Sequence, residues 1–258
     1  MDASGPARRP PIAGHALNAS TRPFDRAAAT RIARAFLPRH PLGNRWDYYY
    51  TRAKLSSDPL YPGVLQALQG SDAPVLDLGC GLGLLAHALR LDGQSMAYRG
   101  VDNDAAKIAR AARVAQRNGL REVAFDVVDL ALGPPAHAGS VAILDVLQYL
   151  SADEQATLIA DAIAMLTPGA RLVIRTALGD DSHRGRTSRL TDRLANLIGW
   201  MQFRPKCYPD ADKLRAQLDA AGLSTTFSPL YGNTPFNNWL IVAVGRGYAP
   251  DGLPVSGT

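Results

Sequence analysis

Val75-Leu76-Asp77-Leu78-Gly79-Cys80-Gly81-Leu82-Gly83 is a short apolar run that ends in alternating glycines and opens into Leu84-Leu85-Ala86-His87-Ala88-Leu89. It reads as a buried strand, a tight turn and the start of a helix. Glycines at 79, 81 and 83 remove the Cβ atoms that would hold a ligand off the backbone. The first turn of the following helix presents N–H groups without intrahelical partners. Such a turn suits a flat or anionic ligand. A dinucleotide turn, Gly-x-Gly-x-x-Gly or Ala, needs a small residue where this chain has Leu84.

Outward from this turn, strands and helices alternate, which predicts a mostly parallel sheet with helices on both faces. Strand 1 spans Val75 to Leu78 and its helix Gly83 to Leu91; strand 2 spans Ala97 to Val101 and its helix Ala105 to Arg117, stopped by Asn118-Gly119. Strand 3 covers Glu122 to Val128 and strand 4 Val141 to Leu144. Ser151 and Glu154 form a capping box for a helix to Leu166, and Pro168-Gly169 turns the chain into strand 5, Arg171 to Ala177. A helix from Asp210 to Ala221 and strands Leu223 to Phe227 and Trp239 to Val244 complete the pattern. Asp102 ends strand 2, 19 residues past Gly83, where a carboxylate can accept both hydroxyls of a ribose laid over the turn. Asp129 ends strand 3 and Asp145 ends strand 4. A single acid at a strand end is best read as a helix cap.

Asp-x-Gly-x-Gly-x-Gly over Asp77 to Gly83 resembles motif I of the class I S-adenosylmethionine-dependent methyltransferases, and the resemblance extends over about residues 70–246. It implies an α/β fold, a seven-stranded, mostly parallel Rossmann-like sheet with helices on both faces, here with an N-terminal helical and aromatic appendage. It implies S-adenosyl-L-methionine as cofactor, with Gly79, Cys80, Gly81 and Gly83 against it, Asp77 toward its methionyl end and Asp102 on its ribose. Asn103 is placed near the adenine, Asp129 with Leu130 at the adenine amino group, and Asp145 beside the sulfonium. The segment from Asp145 to Leu150 resembles the family's Asp-Val-Leu-His-x-Leu but carries Gln148 in place of histidine, so an imidazole base is missing there.

Methyl transfer is an in-line displacement for which the protein aligns the acceptor and excludes water; a base is needed only if the acceptor must lose a proton. Of five histidines, His15 lies in the leader, His40 between prolines and His137 in a Pro/Gly loop, and His87 reads as a packing or surface residue. His183, after strand 5, is the candidate catalytic residue. No Asn/Asp-Pro-Pro-Tyr/Phe follows strand 4, which argues against methylation of base or glutamine amino groups. Neither Cys80 nor Cys207 sits in a Pro-Cys loop, which argues against cytosine-C5 chemistry. The ligand set of metal-dependent catechol enzymes is incomplete, and no metal is expected. The expected acceptor is a hydroxyl or carboxyl of a small secondary or aromatic metabolite, free or carrier-bound. Alternatives are a non-catalytic scaffold with this fold and a nicotinamide-dependent oxidoreductase, the latter disfavoured by Leu84.

The 258 residues, 47% of them hydrophobic, fit one α/β domain with an appendage. The expected organisation is a disordered leader over 1–23, a lid or appendage over 24–69, the S-adenosylmethionine-binding domain over 70–246 with a substrate-side insertion at 178–206, and a tail over 247–258. No run of about 18 apolar residues is present and the N-terminus lacks a secretory apolar block, which predicts a cytoplasmic protein. Residues 1–70 hold ten Lys and Arg against four acids and the rest 18 against 19, so the +5 charge belongs to the appendage. A near-neutral body argues against nucleic-acid binding.

Phe24 to Leu37 has helical spacing, and a short helix is predicted over Val64 to Leu68. Between them Tyr48, Tyr49 and Tyr50 either pin the appendage to the core or line the acceptor pocket with Gln148. The stretch from Trp46 to Tyr61 also resembles the leader of tailoring methyltransferases of bacterial pigment clusters. In the insertion, Arg186, Arg189 and Arg193 form a basic flank beside leucines at helical spacing. The flank is either a solvated face or a contact for an acidic carrier protein, an anionic substrate or an anionic membrane surface.

Overall fold

Three helices precede the first strand in the computed structural model, which describes residues 21–179, 206–230 and 238–245. These are α1 (Arg26–Arg34), α2 (Trp46–Ser57) and α3 (Leu60–Leu68). The carboxylate of Asp25 caps α1 by accepting from Ala28 N at 2.7 Å. No apolar stripe runs along α2, so periodicity did not predict it. Its only buried residues are Thr51 and Leu55, and it packs against α1. α3 starts four residues before the predicted Val64, because Pro62 lies in its first turn, where a missing N–H is harmless.

The alternating part follows the predicted order: β1 (Val75–Leu78), α4 (Leu84–Leu91), β2 (Tyr98–Asp102), α5 (Ala105–Arg117), β3 (Val123–Val127), β4 (Ser140–Leu144), α6 (Ala152–Ala164), β5 (Arg171–Ala177), α7 (Ala211–Ala220), β6 (Leu223–Pro229) and β7 (Asn238–Gly245). The sheet order among these residues is β3-β2-β1-β4-β5-β7-β6. β1 to β5 run parallel, and β7 pairs antiparallel with both β5 and β6. The chain winds outward from β1 to β3 and then returns to β4, so the order reverses between β1 and β4, where open α/β sheets bind ligands at their carboxyl edge. The capping box of α6 forms as predicted, with Ser151 N donating to Glu154 Oε2 at 2.6 Å.

Alternation along the strands sorts the core into two layers. Leu76, Leu78, Val141, Ile143, Leu172, Ile174 and Ile241 face α6 and α7 with Leu158, Ile159, Leu214 and Leu218. Val75, Ala142, Val173 and Leu240 face α1, α3 and α4 with Ile32, Phe36, Val64, Leu68, Leu85 and Leu89. Asp77, Arg171 and Arg175 share the parity of Val75 and Val173, so these buried strand charges point toward the side that the N-terminal helices cover. The appendage therefore supplies much of one of the two core layers. Among the described residues, no helix is long and apolar enough to cross a membrane.

Candidate functional site

The glycine turn joins β1 to α4 with positive φ at Gly79 (80°), Gly81 (57°) and Gly83 (69°). A Cβ at Gly79 would lie 2.4 Å from Val146 Cγ2, and one at Gly83 would lie 2.4 Å from the Phe125 ring. A Cβ at Gly81 would meet no atom of the described residues within 4 Å. The outer glycines thus let the turn pack against β3 and the loop after β4, while Gly81 faces outward. Cys80 packs across β2, its Sγ 2.8 Å from where a Cβ of Gly100 would stand. Burial pushes its thiol well above the usual range, so it stays protonated.

Asp102 holds this turn from the end of β2. Its Oδ2 accepts from Gly81 N at 3.0 Å and its Oδ1 from Asp104 N at 2.9 Å. Asp104 in turn caps α5 through Ala106 N and Lys107 N. Asn103 is exposed beside it. Val128 N donates to Asp102 O, which brings the ends of β2 and β3 together, and Asp129 there caps the short helix Leu130–Leu132 through Ala131 N. Asp102, Asn103, Asp129 and Leu130 thus lie together where β2 and β3 end, with Asp102 reaching Gly81.

Asp77 lies beneath the turn, 2% exposed. Tyr98 Oη donates to its Oδ2 at 2.7 Å, and its Oδ1 has no hydrogen-bond partner among the described residues. Burial raises its pKa to about 7, against the pull of the Tyr98 hydroxyl. His87 is also buried, its ring 5.1 Å from that of Phe36, and burial lowers its pKa to about 4. It joins the segment after α1 to α4, so of the two readings, packing or surface, it takes the first.

At the far side of the switch point, Asp145 has a left-handed backbone (φ 60°), uncommon outside glycine. Its N–H donates to Arg175 O and its carbonyl accepts from Gln148 Nε2, both at 2.9 Å. Its carboxylate does not stand free. Arg175 Nη1 bonds to Oδ2, and Lys54 Nζ is 3.5 Å from the same oxygen. Arg175 Nη2 reaches Asp58 Oδ2 at 3.1 Å, and Lys54 Nζ reaches it at 2.6 Å. Asp58 also caps α3 through Leu60 N. Two cations and two carboxylates from α2, its C-terminal end, β4 and β5 thus close one cluster. Burial works against its charges, but Arg175 and Lys54 keep Asp145 below the usual carboxylate range, and Asp145 and Asp58 keep Lys54 above the usual lysine range.

α2 spans this edge. Near its start Asp47 pairs with Arg110 of α5 at 3.3 Å, and near its end Lys54 meets β4 and β5. The three tyrosines separate: Tyr50 packs on the core, while Tyr48 stacks edge-on with Tyr49, which is 54% exposed. Sequence reasoning missed Lys54, Asp58, Tyr98 and Arg175. Only Arg175 carried a usable signal, a charge inside Leu172-Val173-Ile174-Arg175-Thr176. His183, Arg186, Arg189 and Arg193 lie outside the described residues.

No curated protein matches the chain. Among solved structures, magnesium protoporphyrin IX methyltransferase from Synechocystis PCC 6803 with bound SAH is 19% identical, with a TM-score of 0.57 over 83% of this chain and 93% of that one. The pyocyanin biosynthetic protein PhzM is 17% identical, with a TM-score of 0.58 over 83% and 61%. An O-methyltransferase family protein from Burkholderia thailandensis is 18% identical, with a TM-score of 0.52 over 85% and 68%. Residues 69–196 match the family model described as a methyltransferase domain, and with the glycine turn and strand-end acids in place this stretch is a methyltransferase domain.

Proposed function

We propose that the chain transfers a methyl group from S-adenosylmethionine to an oxygen, hydroxyl or carboxyl, of a small-molecule acceptor. The observation that carries this reading is the edge where Gly81 faces outward between Asp102, Asp129 and the buried Asp77. These residues fit the cofactor. Asp102 keeps lone pairs beyond its two backbone bonds for a ribose, and the unpartnered Asp77 Oδ1 suits an ammonium, whose charge would offset its burial. Asn103, Asp129 and Leu130 would flank the adenine, with Gly79, Cys80 and Gly83 shaping the turn. The cofactor supplies a methyl group on a sulfonium, already activated for displacement.

Two of the structurally similar proteins are named for a porphyrin methyl transfer and for pyocyanin biosynthesis, which supports a small-molecule acceptor. Residues 24–69 serve as a fixed lid in this reading, and residues 70–246 as the cofactor-binding domain. Asp145, which the family resemblance places beside the sulfonium, is paired with Lys54 and Arg175. Its role is to anchor the loop that carries Val146 and Gln148 past the turn. Calorimetry with S-adenosylhomocysteine and with NADH tests the reading: micromolar binding of the first alone supports it, and binding of neither returns the chain to the scaffold alternative.

A further inference from the structure

The four-charge cluster is closed on one side and open on the other. The side chains of Asp58 and Arg175 are 6% and 5% accessible, whereas those of Lys54 and Asp145 keep 23% and 31%. The open pair adjoins the glycine turn, since Val146, next to Asp145, is the residue that a Cβ at Gly79 would strike. Its bonding is also incomplete. Among the described residues Arg175 is committed to both carboxylates, while Lys54 makes one short bond, to Asp58 at 2.6 Å, and one long contact, to Asp145 at 3.5 Å, which leaves room for a further acceptor. An ammonium has three donors.

Resting on the methyltransferase reading above, we propose that the open face of Lys54 is the acceptor subsite and that it receives a carboxylate. A hydroxyl acceptor must shed its proton as the methyl arrives, and this pair cannot take it: Lys54 is held protonated, and Asp145 is held ionised by two cations and is a weak base. A lysine cation bound to the single oxygen of a hydroxyl would also draw electron density from the attacking atom. A carboxylate avoids both difficulties. One oxygen accepts from Lys54 while the other presents its lone pair to the methyl carbon. The O–C bond forms as the S–C bond breaks, its electron pair stays on sulfur, and no proton is released. The product is a neutral methyl ester, which loses the charge that Lys54 recognised and so leaves.

The test uses the full chain saturated with S-adenosylhomocysteine and three matched probe pairs: benzoate and benzyl alcohol, cinnamate and cinnamyl alcohol, decanoate and decanol. Calorimetry should show at least one carboxylate binding about tenfold or more tighter than its alcohol, as expected of a charge-assisted hydrogen bond. Lys54→Met should erase that preference, Lys54→Arg should retain most of it, and S-adenosylhomocysteine affinity should be unchanged in both. Lys54→Gln takes the place of Lys54→Met if circular dichroism shows the latter unfolded. Carboxylates that bind no better than their alcohols, or a preference that survives the loss of Lys54, overturn the subsite while leaving the methyltransferase reading intact. Failure of the wild-type chain to bind S-adenosylhomocysteine overturns that reading and the subsite with it.

Discussion

The two halves of the sheet's carboxyl edge fix their acids by different means. On the β1 to β3 side, Asp102 and Asp129 are held by backbone N–H groups at most 21 residues away in sequence. On the β4 to β5 side, Asp145 and Asp58 are held by side-chain cations, and the Arg175 to Asp58 bond spans 117 residues. Backbone donors are fixed by the fold itself, so the first half is rigid once its strands pair. The second half exists only when α2 has docked. A protein that must hold one invariant cofactor and one particular acceptor gains from this division, because the acceptor side can change through residues outside the sheet.

The largest effect expected from breaking this contrast lies in the second half. Arg175→Met would leave the buried Asp58 with Lys54 alone and release Asp145, and removing one member of a buried ion cluster costs about 3–5 kcal/mol. Urea unfolding should report that loss. A loss below about 1 kcal/mol would mean that the cluster contributes little to docking α2, in the range of an exposed pair. Asp102→Ala is the counterpart in the first half. It should cost about 2–4 kcal/mol in S-adenosylhomocysteine binding, because a ribose would lose its acceptor. Folding should suffer by about 1 kcal/mol, since Gly81 N and Asp104 N lose a partner at a half-exposed site that water can replace. Unchanged affinity by calorimetry would remove Asp102 from the ribose.

The same contrast decides what was legible in the sequence. The succession of strands and helices, the glycine turn, the strand-end positions of Asp102 and Asp129 and the Ser151 capping box could be read directly, because each depends on spacing within about one strand-helix unit. α2 could not be read, since it buries only Thr51 and Leu55 and has no apolar stripe. Nor could the partners of Asp145, because its neighbours in sequence say nothing of a lysine 91 residues earlier. The tyrosines drew attention by number, yet Lys54 and Asp58, on the same segment, make the polar contacts with the sheet edge. Asp77 was recognised as a buried acid, but its partner Tyr98 was unremarkable as an aromatic residue in a strand.

That pair gives the next prediction. Burial lifts Asp77 from an ordinary 3.8 to about 7, the Tyr98 hydroxyl opposes this, and Asp102 adds to it; Tyr61 and Cys80 also feel its charge. Between those two values the folded state binds more protons than the unfolded state, so this group's contribution to stability declines as pH rises through the window. Binding has the opposite slope, because only the ionised carboxylate attracts an ammonium, so S-adenosylhomocysteine affinity should weaken as pH falls below about 7. Tyr98→Phe removes a hydrogen bond to a charged group worth about 1.5–3 kcal/mol, which should move the binding midpoint up by about one to two pH units. Calorimetry from pH 6 to 9 would show it. An unmoved midpoint would mean that Asp77 does not govern cofactor binding.

The last comparison lies at the centre of the turn, and it separates the cofactor face from the packing face. Gly81 has φ 57°, so Gly81→Ala carries the left-handed penalty of about 1–2 kcal/mol. It should carry nothing more, since its new methyl meets no atom of the described residues within 4 Å. Gly83→Ala carries the same penalty and adds an overlap with the Phe125 ring, so it should be the less stable variant. Binding should rank them the other way. The Gly81 methyl projects where the cofactor is assigned and should weaken S-adenosylhomocysteine by about tenfold or more, close to 1.4 kcal/mol, while any Gly83→Ala protein that folds should bind it with a smaller loss. Thermal unfolding and calorimetry on the two variants measure both rankings. If Gly81→Ala binds as the wild type does, the glycine turn serves only the packing of β1 against α4, and the cofactor lies elsewhere on this edge.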